Sequence, residues 1–435
     1  GVWAPCLRYH NGIFYIYWGD PDRGIYMVQT KDPSKEWTAP ILVKKAYGNI
    51  DPSPLWDDDG KVYLVHAFAH SRAGIKSTLQ VVELSSEGDE IQDKGVIVFD
   101  GHDEHPTIEG PKFYKRNGYY FIFAPAGGVP TGWQLVLRSK NVYGPYEERI
   151  VLAKGNTDIN GPHQGGLVEL DNGESWFVHF QDKEAYGRVV HLQPVVWIND
   201  WPVMGIDEDG DGTGEPVITY KKPDLPNSQV QNPVDSDEFN SPELGLQWQW
   251  NANPQPGWYN LTSSAGNLRL NTKPSPDLAT NLWMQPNLMF QKFPAPEFRN
   301  TVKLDVSNLK TEEETGLLIY GIDYASLVVK KKDGGFVLEQ RVCLDAEKNI
   351  PETVIEQVKF SDPIILLRSE TRKEGVTTFL YSKDGDRFQT IGKDFTAREG
   401  KWVGAKSGLY ALKRKETGMS GYALYDWFRV TPLNK

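Results

Sequence analysis

The sequence predicts an all-β protein in two parts, a run of β-propeller blades followed by a β-sandwich. Three observations predict it. Glycine (41), proline (29) and aromatic residues (12%) are abundant in a 435-residue chain whose apolar runs are short and bounded by turn residues. One unit, a turn glycine leading into an aromatic or apolar strand, recurs four times before residue 222. Beyond that point the strands become longer and more strictly alternating, with Asp-Gly or Gly-Gly turns between them. A chain of this length also exceeds one ordinary core, so two or three domains are expected.

The four copies of the unit are RYHNGIFYIYW, WDDDGKVYLVHAF, YKRNGYYFIF and ELDNGESWFVHF. Their turn glycines, Gly12, Gly60, Gly118 and Gly173, stand 48, 58 and 55 residues apart. An alternating strand follows each: GIYMVQT, TLQVVEL, WQLVLRS and GRVVHLQPVVW. About four strands in every fifty residues is the period of propeller blades, and no copy shows the 3.6-residue period of a helical solenoid. The third copy is the most explicit. It sets Glu109 on a Gly110-Pro111 corner, then a strand from Lys112 to Lys115, an Asn117-Gly118 hairpin turn and a strand from Tyr119 to Phe123. A four-bladed ring is one reading. The first copy lacks a leading segment, however, which predicts a further blade of about 60 to 80 residues upstream of Gly1.

The blades occupy residues 1–222. Residues 223–236, within KKPDLPNSQVQNPVD, are proline-rich, polar and without period, and read as a linker. Residues 237–435 form the predicted β-sandwich. All eight histidines lie at or before His191, so the sandwich has none. Packing against the propeller and a direct part in its site are both open to it.

Composition excludes several classes. The net charge is −11 and no basic run is interleaved with aromatics, so nucleic acid is not an expected partner. No apolar run approaches the roughly 20 residues of a membrane helix. The only cysteines, Cys6 and Cys343, are far apart and imply no disulfide framework. Any signal peptide would lie upstream of Gly1.

In a propeller the innermost strand of each blade lines the axis, so residues just ahead of the hairpins converge there. Those positions hold Trp3-Ala4-Pro5, Asp51-Pro52, Glu109-Gly110-Pro111 and Gly161-Pro162-His163, with Trp3, Asp51, Glu109 and His163 each 9 to 10 residues before its turn glycine. Two carboxylates facing one pocket suit glycosidic bond cleavage, in which one protonates the leaving oxygen and another activates water or acts as nucleophile. Trp3 can stack on a sugar face.

These segments, GVWAP with its YHNG turn, IDPSPLWDDDGKVYLV, IEGPKFYKRNGYYFIF, GPHQGGLVE and GRVVHLQPVVW, resemble successive blades of glycoside hydrolase family 43, the arabinofuranosidase and β-xylosidase family. The second domain resembles the concanavalin-like β-sandwich of its β-xylosidase-type members, with DEF at Asp237 and YDWF at Tyr425 as the less specific matches. The resemblance implies a five-bladed propeller and an inverting, exo-acting enzyme that releases arabinofuranosyl or xylosyl units from plant polysaccharide or its oligosaccharides, secreted or periplasmic, with no required cofactor. It implies that Glu109 is the general acid, that Asp51 orients it and raises its pKa, and that Trp3 and Arg188 contact sugar. His163 matches a histidine that in many members binds a possible structural calcium. The family's general base, an aspartate upstream of the WAP motif, has no counterpart in this chain. Asp20-Pro21 and Asp32-Pro33 sit too late in their blade to replace it.

Weaker signals have plainer readings. Asp207 to Gly212 looks like a calcium loop, but Ile218 stands where a bidentate glutamate belongs, which favours a solvated acidic turn. Asp57-Asp58-Asp59-Gly60 is a hairpin turn. His66 and His70 are spaced four apart but on strand and loop, and with the other histidines read as packing or rim residues. Trp133 is a candidate pocket-rim aromatic. The rival function is a non-catalytic carbohydrate-binding propeller; a purely structural propeller would leave the axial acids unexplained.

Overall fold

The structure is a computed structural model that describes residues 1–433 except 227, 228, 230, 265 and 415–417. Residues 227, 228 and 230 of the expected linker therefore lie outside the described residues. The chain forms two compact units, Gly1–Asp182 with Val189–Ser228, and Lys183–Arg188 with Gln229–Lys435. No helix among the described residues is long and apolar enough to cross a membrane.

The first unit holds four four-stranded sheets. They are β1 (Trp3–His10), β2 (Ile13–Asp20), β3 (Gly24–Thr30) and β4 (Ile41–Lys45); β5 (Asn49–Trp56), β6 (Val62–Phe68), β7 (Thr78–Leu84) and β8 (Val96–Asp100); β9 (Lys112–Arg116), β10 (Tyr119–Ala126), β11 (Trp133–Ser139) and β12 (Glu147–Leu152); and β13 (His163–Glu169), β14 (Ser175–Asp182), β15 (Arg188–Ile198) and β16 (Trp201–Met204). Within each sheet the strands neighbour one another in chain order, which makes each a propeller blade. Gly12, Gly60, Gly118 and Gly173 all adopt positive φ, between 75° and 88°, at the ends of the first hairpins. His70 opens a four-residue helix, α1 (His70–Ala73), where the sequence reading placed a loop.

An apolar layer fills the space between successive blades. Tyr15, Tyr17 and Met27 meet Val62, Leu64 and Val82; Val65, Leu79 and Val81 meet Phe113, Ile122 and Leu135; Phe121, Phe123 and Val136 meet Phe177 and Val195. The two outer faces of the series are also apolar, yet open. Leu7 and Tyr9 pair across to Ile16 and Phe14, and Trp18 to Tyr26, on the face of the first blade away from Tyr15 and Tyr17. Leu7 and Tyr9 are exposed there. On the fourth blade Val168, Val190, Leu192, Val196 and Ile198 are exposed.

In the second unit two large sheets stack over a core that includes Leu304, Leu317, Leu327, Leu367, Leu409 and Phe428. Among the described residues every strand pair of this unit is antiparallel except Lys273–Pro274 with Lys406–Lys413. Glu314 is fully buried and is bonded by Arg341 (3.1 Å) and Arg414 (2.8 Å), which also reach Glu352. Burial alone would push the Glu314 carboxyl up, but the two guanidiniums hold it below the ordinary carboxylate range. Its stabilising effect is therefore complete at neutral pH and is lost as pH falls through the lowered pKa. Removing one member of such a network strands a buried charge. Glu314→Ala is expected to cost about 3–5 kcal/mol, read as a lowered denaturant midpoint for unfolding of this unit, and a midpoint unchanged from the parent would refute the assignment.

Candidate active site

The axial strands share one irregularity. Trp3 pairs with Gly19 and Cys6 with Tyr17, Ile50 with Ala67 and Ser53 with Val65, His163 with Phe180 and Gly166 with Val178. Two axial residues thus stand opposite one partner residue, a β-bulge. The third blade does the same: the Glu109 N–H donates to the Pro125 carbonyl and Lys112 pairs with Phe123, leaving Gly110-Pro111 extra. The first bulge residue has positive φ in every blade: Ala4 (31°), Asp51 (55°), Gly110 (60°) and Gln164 (47°). Three of the four are not glycine, a strain typical of sites that the surrounding fold over-determines.

The bulge corrects the alignment read from turn spacing. That spacing matched Asp51 to Trp3 and Glu109; the ladder matches Ile50 to them and puts Asp51 in the place of Gly110. The connection between β5 and β6 is longer than the two-residue turn between β1 and β2, which displaces the count by one. Asp51 therefore projects from the kink itself. It is 3% exposed, and its Oδ2 accepts from the Gly110 N–H (2.8 Å) and from Gln164 Nε2 (3.3 Å).

Glu109 lies beside it under different conditions. Its side chain is 37% exposed, and Oε1 is 2.9 Å from Nε2 of His163, which is 1% exposed. The loop carrying Glu109 is tied down on both sides: the Thr107 N–H donates to Ser77 Oγ (2.8 Å) and the Gly127 N–H to the Pro106 carbonyl (2.8 Å). Burial and the neighbouring Glu109 charge push the Asp51 carboxyl up, against the pull of Lys112, the Gly110 N–H and Gln164. One buried and one solvent-facing carboxyl in a single site is an arrangement that separates acid and base roles.

Asp51, Glu109 and His163 are thus brought together. Trp3, half-buried at the head of β1, packs against the cluster containing Ile50 and Ala67, with the Arg72 guanidinium 5.8 Å from its ring centre. Trp133 opens β11, and its Nε1 donates to Nδ1 of His105 (3.2 Å). Because indole can only donate, that bond places the His105 proton on Nε2, which faces Glu148 Oε1 at 3.3 Å. Arg188 is an exposed residue at the start of β15. Asp20 accepts from the Asp22 N–H and from the terminal ammonium of Gly1, and Asp32 sits in an exposed turn bonded by Ser34. The Asp207 carboxylate accepts from the N–H groups of Gly210 and Gly212 within its own turn.

The protein donors around His163 do not make a calcium cage. A hard cation asks for six to eight oxygen ligands. His163 belongs to no group of three or more ligating side chains among the described residues; Nε2 is taken by Glu109, and only the nitrogen Nδ1 is left without a protein partner. From the sequence, Gln164 and Lys112 have no part in the site and His105 reads only as a packing or rim residue. Gln164 could have been found by aligning the residue after His163 with Ala4, Asp51 and Gly110, had the bulge been assumed. His105→Phe is expected to remove the acceptor of the Trp133 indole, cost on the order of 1–3 kcal/mol through a buried unsatisfied donor and change Trp133 fluorescence; an unchanged emission spectrum would count against the bond.

Residues 1–202 match the model of glycosyl hydrolases family 43, and residues 236–431 match the β-xylosidase C-terminal concanavalin A-like domain. A putative β-xylosidase of Xylanibacter ruminicola is 39% identical over 410 residues, covering 94% of this chain and 73% of that protein. The non-reducing end α-L-arabinofuranosidase of Bacteroides ovatus is 28% identical, covering 98% and 81%. The crystal structure of a family 43 protein of Bacillus licheniformis superposes with a TM-score of 0.84 at 25% identity, covering 99% of this chain and 86% of that one.

Proposed function

The chain belongs to glycosyl hydrolases family 43, and from that premise we propose an inverting, exo-acting glycosidase that releases terminal β-D-xylosyl or α-L-arabinofuranosyl units from xylan-type polysaccharides or their oligosaccharides. The observation that carries the reading is the contrast at the axis: Glu109 is open to solvent on a braced loop, while Asp51 is buried beside it. In this reading Glu109 protonates the leaving oxygen, and Asp51 orients it through the Gly110 N–H. Trp3 and Trp133 wall the sugar pocket, and Arg188 offers hydroxyl groups a planar fork of donors. Acid and base side chains suffice for this hydrolysis, with no organic cofactor. A secreted or periplasmic location is part of this proposal, as it would give the enzyme access to a polymeric substrate.

The general base belongs, in this proposal, to a fifth blade. The open apolar faces of the first and fourth blades support it, since the layers between the other blades show how such faces are covered. The fraction of the relatives that the chain spans, 73% and 81% of their lengths, supports it as well.

The test is release of nitrophenol from aryl β-D-xyloside and aryl α-L-arabinofuranoside, by this chain and by a form extended by the proposed fifth blade. Glu109→Gln is expected to lower turnover by about two orders of magnitude or more, as loss of a general acid does; full activity in that variant would remove Glu109 from the role. Asp51→Asn takes away the like charge, so the alkaline limb of the pH profile is expected to move down. A limb that stays in place would separate the two residues.

A further inference from the structure

The residue that follows the bulge is small in three blades, Cys6, Ser53 and Gly166, and is Lys112 in the third. Cys6, Ser53 and Lys112 are all buried, and Cys6 Sγ lies 3.6 Å from Ser53 Oγ. The long side chain thus enters a layer otherwise built of small ones. One glycine joins it to the carboxylate: the Gly110 N–H donates to Asp51 Oδ2 (2.8 Å), and the Gly110 carbonyl accepts from Lys112 Nζ (3.2 Å). Positive φ at Gly110 turns those two groups to their partners.

A buried ammonium needs a reason, because desolvation penalises it as heavily as it does a carboxylate. Two carboxyls that share a site cannot both ionise without compensation, and the more buried one should keep the proton. Burial alone would therefore protonate Asp51 and leave Glu109, the solvent-facing group, ionised and useless as an acid. The Lys112 charge pulls against that order, while burial and the Glu109 charge still push Asp51 up on balance.

We propose that Lys112 is a positioning residue of this active site, the countercharge that keeps Asp51 ionised and so leaves the shared proton on Glu109. The proposal rests on the reading of Glu109 as general acid. The other groups around Lys112 are consistent with it. Burial lowers the Lys112 pKa most; Asp51 favours its charge and Arg8 opposes it, Arg8 being engaged with Ser53 Oγ (2.9 Å) and lying over the Tyr114 ring (5.0 Å). Glu109 and His163 form their own bonded pair on the solvent side.

The experiment is a carboxyl ¹³C NMR titration of selectively labelled protein, with the Asp51 signal assigned through Asp51→Asn. It needs no turnover. The wild-type Asp51 is expected to be ionised at pH 7, and its midpoint to rise by about one unit or more in both Lys112→Met and Lys112→Gln, with Lys112→Arg much closer to the wild type. Neutral variants that lower stability while the midpoint stays within about 0.3 unit would show a merely structural lysine and overturn the proposal. Asp51 protonated at pH 7 in the wild type would overturn it without any variant. The Glu109→Gln assay judges the acid separately: an active Glu109→Gln with a shifted Asp51 midpoint would sink the reading of Glu109 and leave the countercharge standing.

Discussion

A propeller axis is lined by strands whose side chains alternate between two neighbouring blades, so a regular strand directs no side chain along the axis itself. The repeated bulge supplies that direction. In each of the four blades it inserts one residue at the same depth and turns it with positive φ, so that Ala4, Asp51, Gly110 and Gln164 form one level of the axis. Proline follows in three of the four, which removes a donor that the broken ladder would leave unpaired. The contacts between Asp51, Gly110 and Gln164 depend on this shared kink, because in a straight strand those groups would face the layers between blades.

From that level the chemistry divides by burial. Asp51 is enclosed and has two N–H donors and a lysine for company, whereas Glu109, one residue earlier in its own blade, reaches solvent, and its carboxylate has, among the described residues, only His163 as a bonded partner. The same functional group thus has two environments within one site. Carboxyls so divided need no metal or cofactor to take different protonation states; desolvation and one nearby charge are sufficient.

The second unit follows another logic. Its core between sheets is largely apolar, crossed by the buried Thr315–Tyr425 and Asn300–Ser407 bonds, and one buried charge network joins Glu314, Arg341, Arg414 and Glu352, which satisfy one another. Such a network specifies geometry more than it adds stability, since a well-packed apolar replacement can be as stable. The contrast with the first unit is instructive: there a buried cation and carboxylate are joined through one glycine and stay available to a site, while here the charges are closed into bonded pairs.

Much of the fold was legible in the sequence. Turn glycines followed by aromatic strands revealed four blades, because a hairpin with positive φ leaves a local mark that no distant contact can erase, and the longer alternating strands marked the sandwich for the same reason. Glu109, Asp51 and His163 were legible as axial residues, since all lie just ahead of those turns. The one-residue displacement of Asp51 was not, because a bulge changes register without changing composition and the turn after β5 is longer than its counterpart. Lys112 and Gln164 were hidden for a further reason. Their roles come from the burial and counter-charges created when β1, β5, β9 and β13 meet, and the local text around EGPK and GPHQ carries no trace of that meeting.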